Sequence, residues 1–339
     1  MTDGRSTVAP ALLLSFSDVV RLLDMAECIE AIERAFRAAA GAPIASGILG
    51  MSAPGGGFHI KAGLLPNHPV RPTGYFAAKV NANFPGNPTA NGLPTIQGVL
   101  TLFDATTGVP LAVMDSIALT IIRTAAATAV AARHLSRPDS SAVTIVGCGA
   151  QASAQLQAIA LVRPIKRAYA VDTATGLAES FARNATERLG FPVTASDSLL
   201  EATSDSDIIV TCTPSRKAYL GREHVSPGAF VAAVGADSEH KQELEPSLLA
   251  ASAVITDSTA QCAAIGELHH AIDSGAMTIE DVRAELAVVV ADPSRGRHDA
   301  KEVVIYDSTG VAFQDVVASA LVYERAIRDQ DGTGFRFGG

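Results

Sequence analysis

Ala142-Val143-Thr144-Ile145-Val146-Gly147-Cys148-Gly149-Ala150-Gln151-Ala152 is the stretch that decides the fold of this chain. Its first five residues form a β-prone run of the kind covered on both faces of a parallel sheet. Glycines follow at the first and third positions after the run, and a helical pattern follows them. Glycine permits a tight turn and close backbone approach, and the N–H groups that open a helix attract an anion such as a pyrophosphate. A lone G-x-G is weak evidence. Here the next apolar run, residues 167–171, ends at Asp172. A carboxylate at that point accepts hydrogen bonds from ribose hydroxyls and repels a 2′-phosphate. Thr173 follows it, so no cation favours NADP, and the pattern points to NAD(H).

Working downstream, apolar runs at residues 208–211, 230–234 and 253–256 alternate with helical segments, which predicts a doubly wound α/β unit. Upstream, residues 115–135 are Ala-rich and predict one long helix. Residues 48–114 change texture. Short alternating runs at 58–61, 75–81 and 97–104 are punctuated by Pro54-Gly55-Gly56, Pro85-Gly86-Asn87-Pro88 and Gly92-Leu93-Pro94, as in antiparallel hairpins. Two amphipathic helices precede them, the first capped by Ser17 or Asp18 and the second over about residues 26–40. The expected fold is α/β: a Rossmann parallel sheet over residues 123–310 beside an N-terminal α+β domain over 1–122. A C-terminal helix, 311–330, packs back on the N-terminal domain, and the tail from Asp331 is expected to be loose.

Composition removes several function classes. The 339 residues are 48% hydrophobic and 18% charged, with no Trp and a formal net charge of −9. Such a chain buries a large core, and it lacks the positive charge and aromatic platforms that nucleic acid or anionic membrane would require. Cys28, Cys148, Cys212 and Cys262 show no paired spacing, so neither a disulfide framework nor a metal site is expected. The run 8–16 is too weakly charged at its start for a signal peptide. The run 117–135 is broken by Arg123 and Arg133, so a membrane span is not expected and the expected location is the cytoplasm.

A further set of motifs spans nearly the whole chain. It comprises Phe84-Pro85-Gly86-Asn87-Pro88, Gly92-Leu93-Pro94-Thr95, Leu102-Phe103-Asp104-Ala105-x-x-Gly108, Leu119-Thr120-x-x-Arg123-Thr124-Ala125-Ala126-Ala127 and Val146-Gly147-x-Gly149-x-Gln151-Ala152. Gly235-Ala236-Asp237, Lys241-Gln242-Glu243-Leu244 and Gly310-x-Ala312-x-Gln314-Asp315 follow. In this order they resemble the ornithine cyclodeaminase/μ-crystallin family. The resemblance implies an NAD(P)-dependent homodimer acting on the C–N bond of a small amino or imino acid, as an imine or ketimine reductase or an amino-acid dehydrogenase. Ornithine cyclodeaminase and a non-catalytic crystallin-like ligand binder are the alternatives within that family.

The resemblance also assigns residues. Lys79, Arg123 and Asp237 are the implied catalytic groups. Lys61, Lys79, Arg123 and Thr309 are implied to bind substrate. Thr95, Arg123, Thr124, Gly147, Cys148, Gly149, Ala150, Gln151, Asp172, Thr211, Thr213, Val234, Lys241 and Ser308 are implied to face the cofactor. Each has a plainer reading. Lys79 in an apolar strand either snorkels from a strand end or serves a ligand. Arg123 in an Ala-rich helix either makes a salt bridge or recognises a carboxylate or pyrophosphate. Asp237 either shapes a turn or works beside the reacting nitrogen. Two departures stand out. The family's Arg is missing from Ala42-Pro43-Ile44-Ala45-Ser46-Gly47-Ile48, and the cyclodeaminase Glu is missing from Phe58-His59-Ile60-Lys61. Lys61 either replaces the missing cation or faces solvent on an edge strand, and His59 shares its face.

Overall fold

The computed structural model describes residues 9–41, 44–66, 68 and 70–337. Their contacts form two compact units. The first comprises the described residues of Met1–Cys28, Ile44–Thr120 and Ala312–Gly339, and the second those of Ile29–Pro43 and Ile121–Val311.

The first unit is built on a seven-stranded sheet of β1 (Ala11–Leu14), β2 (Ser46–Ala53), β3 (Gly56–Leu65), β4 (Tyr75–Asn83), β5 (Ile96–Asp104), β6 (Pro110–Asp115) and β17 (Thr333–Phe335). The strand order is β17-β1-β6-β5-β4-β3-β2, with an antiparallel meander from β2 to β6. The hairpin expectation is met, and β3 is an internal strand, so Lys61 is not on an edge. The tail expected to be loose is instead paired: β17 lies antiparallel to β1, with Leu12 opposite Gly334. Backbone hydrogen bonding at the open side of β1 orders these residues. The helix Ala312–Asp329 packs on β3, where Gly63 lets it approach: a Cβ there would lie 3.1 Å from the Ala312 Cβ.

The first helix is Phe16–Leu22, and its cap is Ser15, not Ser17 or Asp18. Ser15 and Asp18 form a reciprocal capping box, in which Asp18 occupies the third helical position and accepts the Ser15 N–H at 2.9 Å. Most of the next helix, Met25–Ala39, groups with the second unit, whereas the boundary read from sequence had put it in the first. Its acids account for this. Arg133 binds Glu30 at 2.7 Å and also Glu33, and Glu33 holds His134 at 3.1 Å.

The second unit carries an eight-stranded parallel sheet of β7 (Ala142–Val146), β8 (Arg167–Val171), β9 (Val193–Ala195), β10 (Ile208–Thr211), β12 (Phe230–Ala233), β14 (Ala253–Thr256), β15 (Ala284–Glu285) and β16 (Val304–Asp307). The order is β15-β14-β16-β12-β10-β7-β8-β9. All strands run parallel, and the order in which the chain adds them reverses between β7 and β10, the switch point at which open α/β sheets bind ligands beyond the carboxyl ends of their strands. A two-stranded pair, β11 (Arg216–Leu220) with β13 (Gln242–Leu244), lies outside this sheet. Val146, Ile209, Val231, Leu244, Val254 and Ile305 belong to one buried apolar cluster that anchors β7, β10, β12, β13, β14 and β16 together. The helix Ser116–Leu135 is long and apolar enough to cross a membrane by length and composition, but 67% of its most apolar window is buried inside the protein. It is a core helix.

Candidate functional site

Within the first unit, strand pairing places the two lysines together. Lys61 on β3 lies directly opposite Lys79 on β4, and His59 lies opposite Asn81 two residues along on the same face. Lys79 is 3% exposed, so it does not snorkel to water. Its ammonium donates to Asp315 at 2.9 Å and to the Thr120 hydroxyl at 3.2 Å. Asp315 is itself buried, on the first turn of the helix Ala312–Asp329. A buried lysine requires such a counter-charge. The sequence placed Asp315 in the motif Gly310-x-Ala312-x-Gln314-Asp315 but assigned it no role. Thr95 precedes β5, half-buried, and its carbonyl accepts the Phe84 N–H at 2.8 Å. Ala42 and Pro43, where the missing arginine was sought, lie outside the described residues.

Within the second unit, the glycine turn forms as expected. Gly147 has φ +95°, a region that favours glycine, and its N–H donates to the Val171 carbonyl at 2.8 Å. A Cβ at Gly147 would collide with Thr213 Cγ2 at 2.7 Å. A Cβ at Gly149 would meet no protein atom within 4 Å, so that glycine serves no internal packing and faces an open cradle. Ala150 is exposed and Gln151 half-buried ahead of the helix Ala152–Val162, whose start has no side-chain cap. Asp172 accepts the Cys148 N–H through Oδ2 and the Ala174 N–H through Oδ1, both at 2.8 Å. Each carboxylate oxygen keeps a second lone pair for a hydroxyl donor. Burial, reinforced by Asp172, pushes the Cys148 thiol up to about 12, so it stays neutral and is no nucleophile. These features fit a dinucleotide: N–H groups and glycine for the pyrophosphate, a carboxylate for the ribose.

The other half of the carboxyl edge is held by buried acids. Thr211 has no exposed surface, and its hydroxyl donates to Glu243 at 2.7 Å. It supports the exit of β10 from beneath. Thr213 is half-buried, and Val234 follows β12 with its N–H on the Thr211 carbonyl at 3.0 Å. Asp257 accepts the Ser308 hydroxyl at 3.3 Å, the Thr309 hydroxyl at 3.1 Å and the Gly310 N–H at 2.6 Å. Gly310, with φ +80°, is the surface on which Arg123 rests: a Cβ there would lie 2.7 Å from the guanidinium. Arg123 is 4% exposed, and Thr124 beside it is half-buried. Asp237 is exposed after β12, and its Oδ1 accepts the Lys241 ammonium at 2.6 Å. The structure thus joins two residues that the sequence had assigned separate roles.

Glu243, Glu267, Asp307 and Asp257 were missed as a group. The available signal was Asp307, an acid ending an apolar run as Asp172 does, but β16 itself was not anticipated. Burial pushes Asp307 up to about 7 and Glu267 well above the usual carboxylate range. Burial also raises Glu243, in spite of its many donors.

Comparison with known proteins agrees with this geometry. Residues 10–330 match the model of the ornithine cyclodeaminase/mu-crystallin family. The chain is 36% identical over 328 residues to an alanine dehydrogenase from Archaeoglobus fulgidus, covering 96% of this chain and 98% of that protein. An archaeal alanine dehydrogenase dimer with bound NAD superposes with a TM-score of 0.90 at 34% identity, covering 96% of this chain and 99% of the other. The Δ1-pyrroline-2-carboxylate reductase of Thermococcus litoralis, in complex with NADH and L-proline, gives 0.89 at 31% identity, over 95% and 99%. A family match over almost the whole length, on a chain that carries the glycine turn, its ribose acid and the buried lysine, permits one conclusion: the chain belongs to the ornithine cyclodeaminase/mu-crystallin family.

Proposed function

We propose that this protein is an NAD(H)-dependent oxidoreductase acting on the C–N bond of a small amino or imino acid, as an imine reductase or the reverse amino-acid dehydrogenase. The observation that carries the reading is Asp172 tied to the glycine turn by the Cys148 N–H, with the open cradle at Gly149 beside it. Alanine dehydrogenase and pyrroline-2-carboxylate reductase among the similar proteins support the substrate class. Gly147, Cys148, Gly149, Ala150 and Gln151 would hold the pyrophosphate, and Asp172 the ribose. Bound NAD(H) supplies the two-electron exchange at the substrate carbon.

The chain's own groups do the rest. Lys61, Lys79 and Arg123 hold the substrate carboxylate by charge and hydrogen bonding. Asp237 accepts or donates the proton at the substrate nitrogen, with the Lys241 ammonium donating to its Oδ1 at 2.6 Å. No acid stands among Phe58, His59, Ile60 and Lys61, which favours reduction or oxidation over cyclisation of ornithine. We place the protein in the cytoplasm, a reading supported by Cys148, Cys212 and Cys262, none of which forms a disulfide.

We also propose a homodimer through the outward face of the first sheet. Leu49, Ile60, Val80 and Val99 stand in one row across β2 to β5, and Val80 and Val99 are 36% and 50% exposed. Apolar area of this kind on a sheet face suits an isologous contact. A monomeric mass in light scattering at micromolar concentration would remove this part. The activity is tested by NADH absorbance with α-keto acids plus ammonia or methylamine, with cyclic imines, and with amino acids plus NAD. Oxidation of NADH with an imine is the expected result. Proline and ammonia from ornithine, with no activity on any imine, would overturn it.

A further inference from the structure

Glu243 is wholly buried on β13 and carries none of the roles above. Its carboxylate accepts five hydrogen bonds. Oε1 takes the Thr213 N–H and hydroxyl, both at 2.7 Å, and the Tyr219 hydroxyl at 2.8 Å. Oε2 takes the Thr211 hydroxyl at 2.7 Å and the Gly235 N–H at 2.9 Å. These donors come from the exits of β10 and β12 and from β11. No side chain fits at position 235, where a Cβ would lie 2.5 Å from Glu243 Oε2. Thr213, so held, is the residue that backs Gly147.

Glu243 is itself fixed from behind. Its own N–H donates to Glu267 at 2.7 Å, and the Leu244 N–H donates to the same carboxylate at 3.1 Å. The N–H groups of Glu267 and Leu268 donate in turn to Asp307 at 3.2 and 2.9 Å. Three buried carboxylates thus run from the end of β16 to the exits of β10 and β12. An apolar side chain in place of Glu243 would fill the space but leave the N–H groups of Thr213 and Gly235 without acceptors.

We propose that Glu243 is a positioning residue for the cofactor: it sets the exits of β10 and β12, the half of the crevice that takes the nicotinamide end, before the dinucleotide arrives. This rests on the NAD(H) reading above. The adenosine end belongs to the other mononucleotide half, where Asp172 stands. Loss of Glu243 function should therefore weaken the whole dinucleotide more than its AMP portion.

The test compares NADH and AMP binding by calorimetry, with thermal unfolding of the ligand-free protein alongside. In Glu243→Gln the amide oxygen serves Thr213 and Tyr219, but the NH2 group meets the Gly235 N–H donor to donor. NADH Kd is expected to rise about tenfold or more, the weight of one buried N–H left unmade, with AMP Kd within about threefold. Tyr219→Phe removes one donor and leaves every acceptor in place, so it keeps the question open to measurement if the Gln variant does not fold. It is expected to raise NADH Kd about two- to threefold, with AMP Kd unaltered. Unchanged NADH affinity in both variants, or parallel loss of NADH and AMP with a lowered melting temperature, overturns the proposal. Wild-type protein that binds no NADH overturns instead the reading of the crevice itself.

Discussion

The two units solve the same problem of presenting polar groups from an apolar interior by opposite means. In the first, the polar groups are side chains in mid-strand: Lys61 and Lys79 face each other across β3 and β4, and the Asp315 carboxylate offsets the buried Lys79 charge. In the second, many of them are backbone N–H groups at or near strand exits, and the buried carboxylates Glu243, Glu267, Asp307 and Asp257 hold these from below. Sheet pairing fixes a mid-strand side chain without help. A loop has no ladder to fix it, so its N–H groups must find acceptors elsewhere.

That contrast can be broken at four places. The largest effect is expected at Lys79. Lys79→Ala takes the ammonium away from Asp315, which is 2% exposed, and should cost about 3–5 kcal/mol of stability in urea unfolding. Adding Asp315→Leu to Lys79→Met should restore most of it. A loss under 1 kcal/mol in the single variant would show that the mid-strand pair needs no counter-charge.

Asp237→Asn comes next. It keeps the shape of an exposed loop residue, so stability should hold while kcat falls about 10²-fold, the usual weight of a lost acid–base group. A kcat within threefold of wild type, in steady-state assays on whichever imine proves active, would remove Asp237 from the mechanism.

Asp172→Ala with Thr173→Arg should shift the kcat/KM ratio toward NADP(H) by about tenfold or more, since a repulsive carboxylate gives way to a guanidinium. The structure adds a cost: the Cys148 and Ala174 N–H groups lose their acceptor, so affinity for either cofactor should drop as well. Retained preference for NAD(H) would mean that Asp172 shapes the turn without reading the ribose.

The smallest effect concerns pH. Asp307 titrates near 7 in the folded chain against 3.8 ordinarily, so the folded state holds its proton over that interval. The stability this group contributes is present below the ordinary value and is lost as pH rises through about 7. Glu267 and Glu243 are raised as well and act in the same direction. The urea midpoint should therefore be higher at pH 6 than at pH 8, and Asp307→Asn should flatten the difference. An unchanged slope in the variant would place the titration elsewhere.

The same contrast explains what was legible beforehand. The glycine turn, Asp172 and the parallel strands could be read because apolar runs and glycines leave a local pattern. The pairing of Lys61 with Lys79 was not legible, since register depends on which strands become neighbours. Nor were Asp315, Glu243, Glu267 and Asp257: each looks like an ordinary surface acid until the fold removes it from water. The capping error at Ser15 was local. Three hydroxyl or acidic residues, Ser15, Ser17 and Asp18, compete within one turn, and the reciprocal bond from Asp18 decides among them.

The pairing of β17 with β1 reaches into the order in which the chain can fold. The first unit draws on three separate segments of the chain, whereas most of the second is one continuous stretch. During synthesis, β1 to β6 emerge well before the helix Ala312–Asp329 and β17. The β-sheet must wait, with the Lys79 ammonium lacking its carboxylate and the face that the helix will cover still open. Contacts spanning some three hundred residues close slowly. The second unit, whose strands follow one another in short steps, can assemble in that interval. A chain halted before Asp315 would thus hold a finished dinucleotide fold while the first sheet still lacked the helix that covers it.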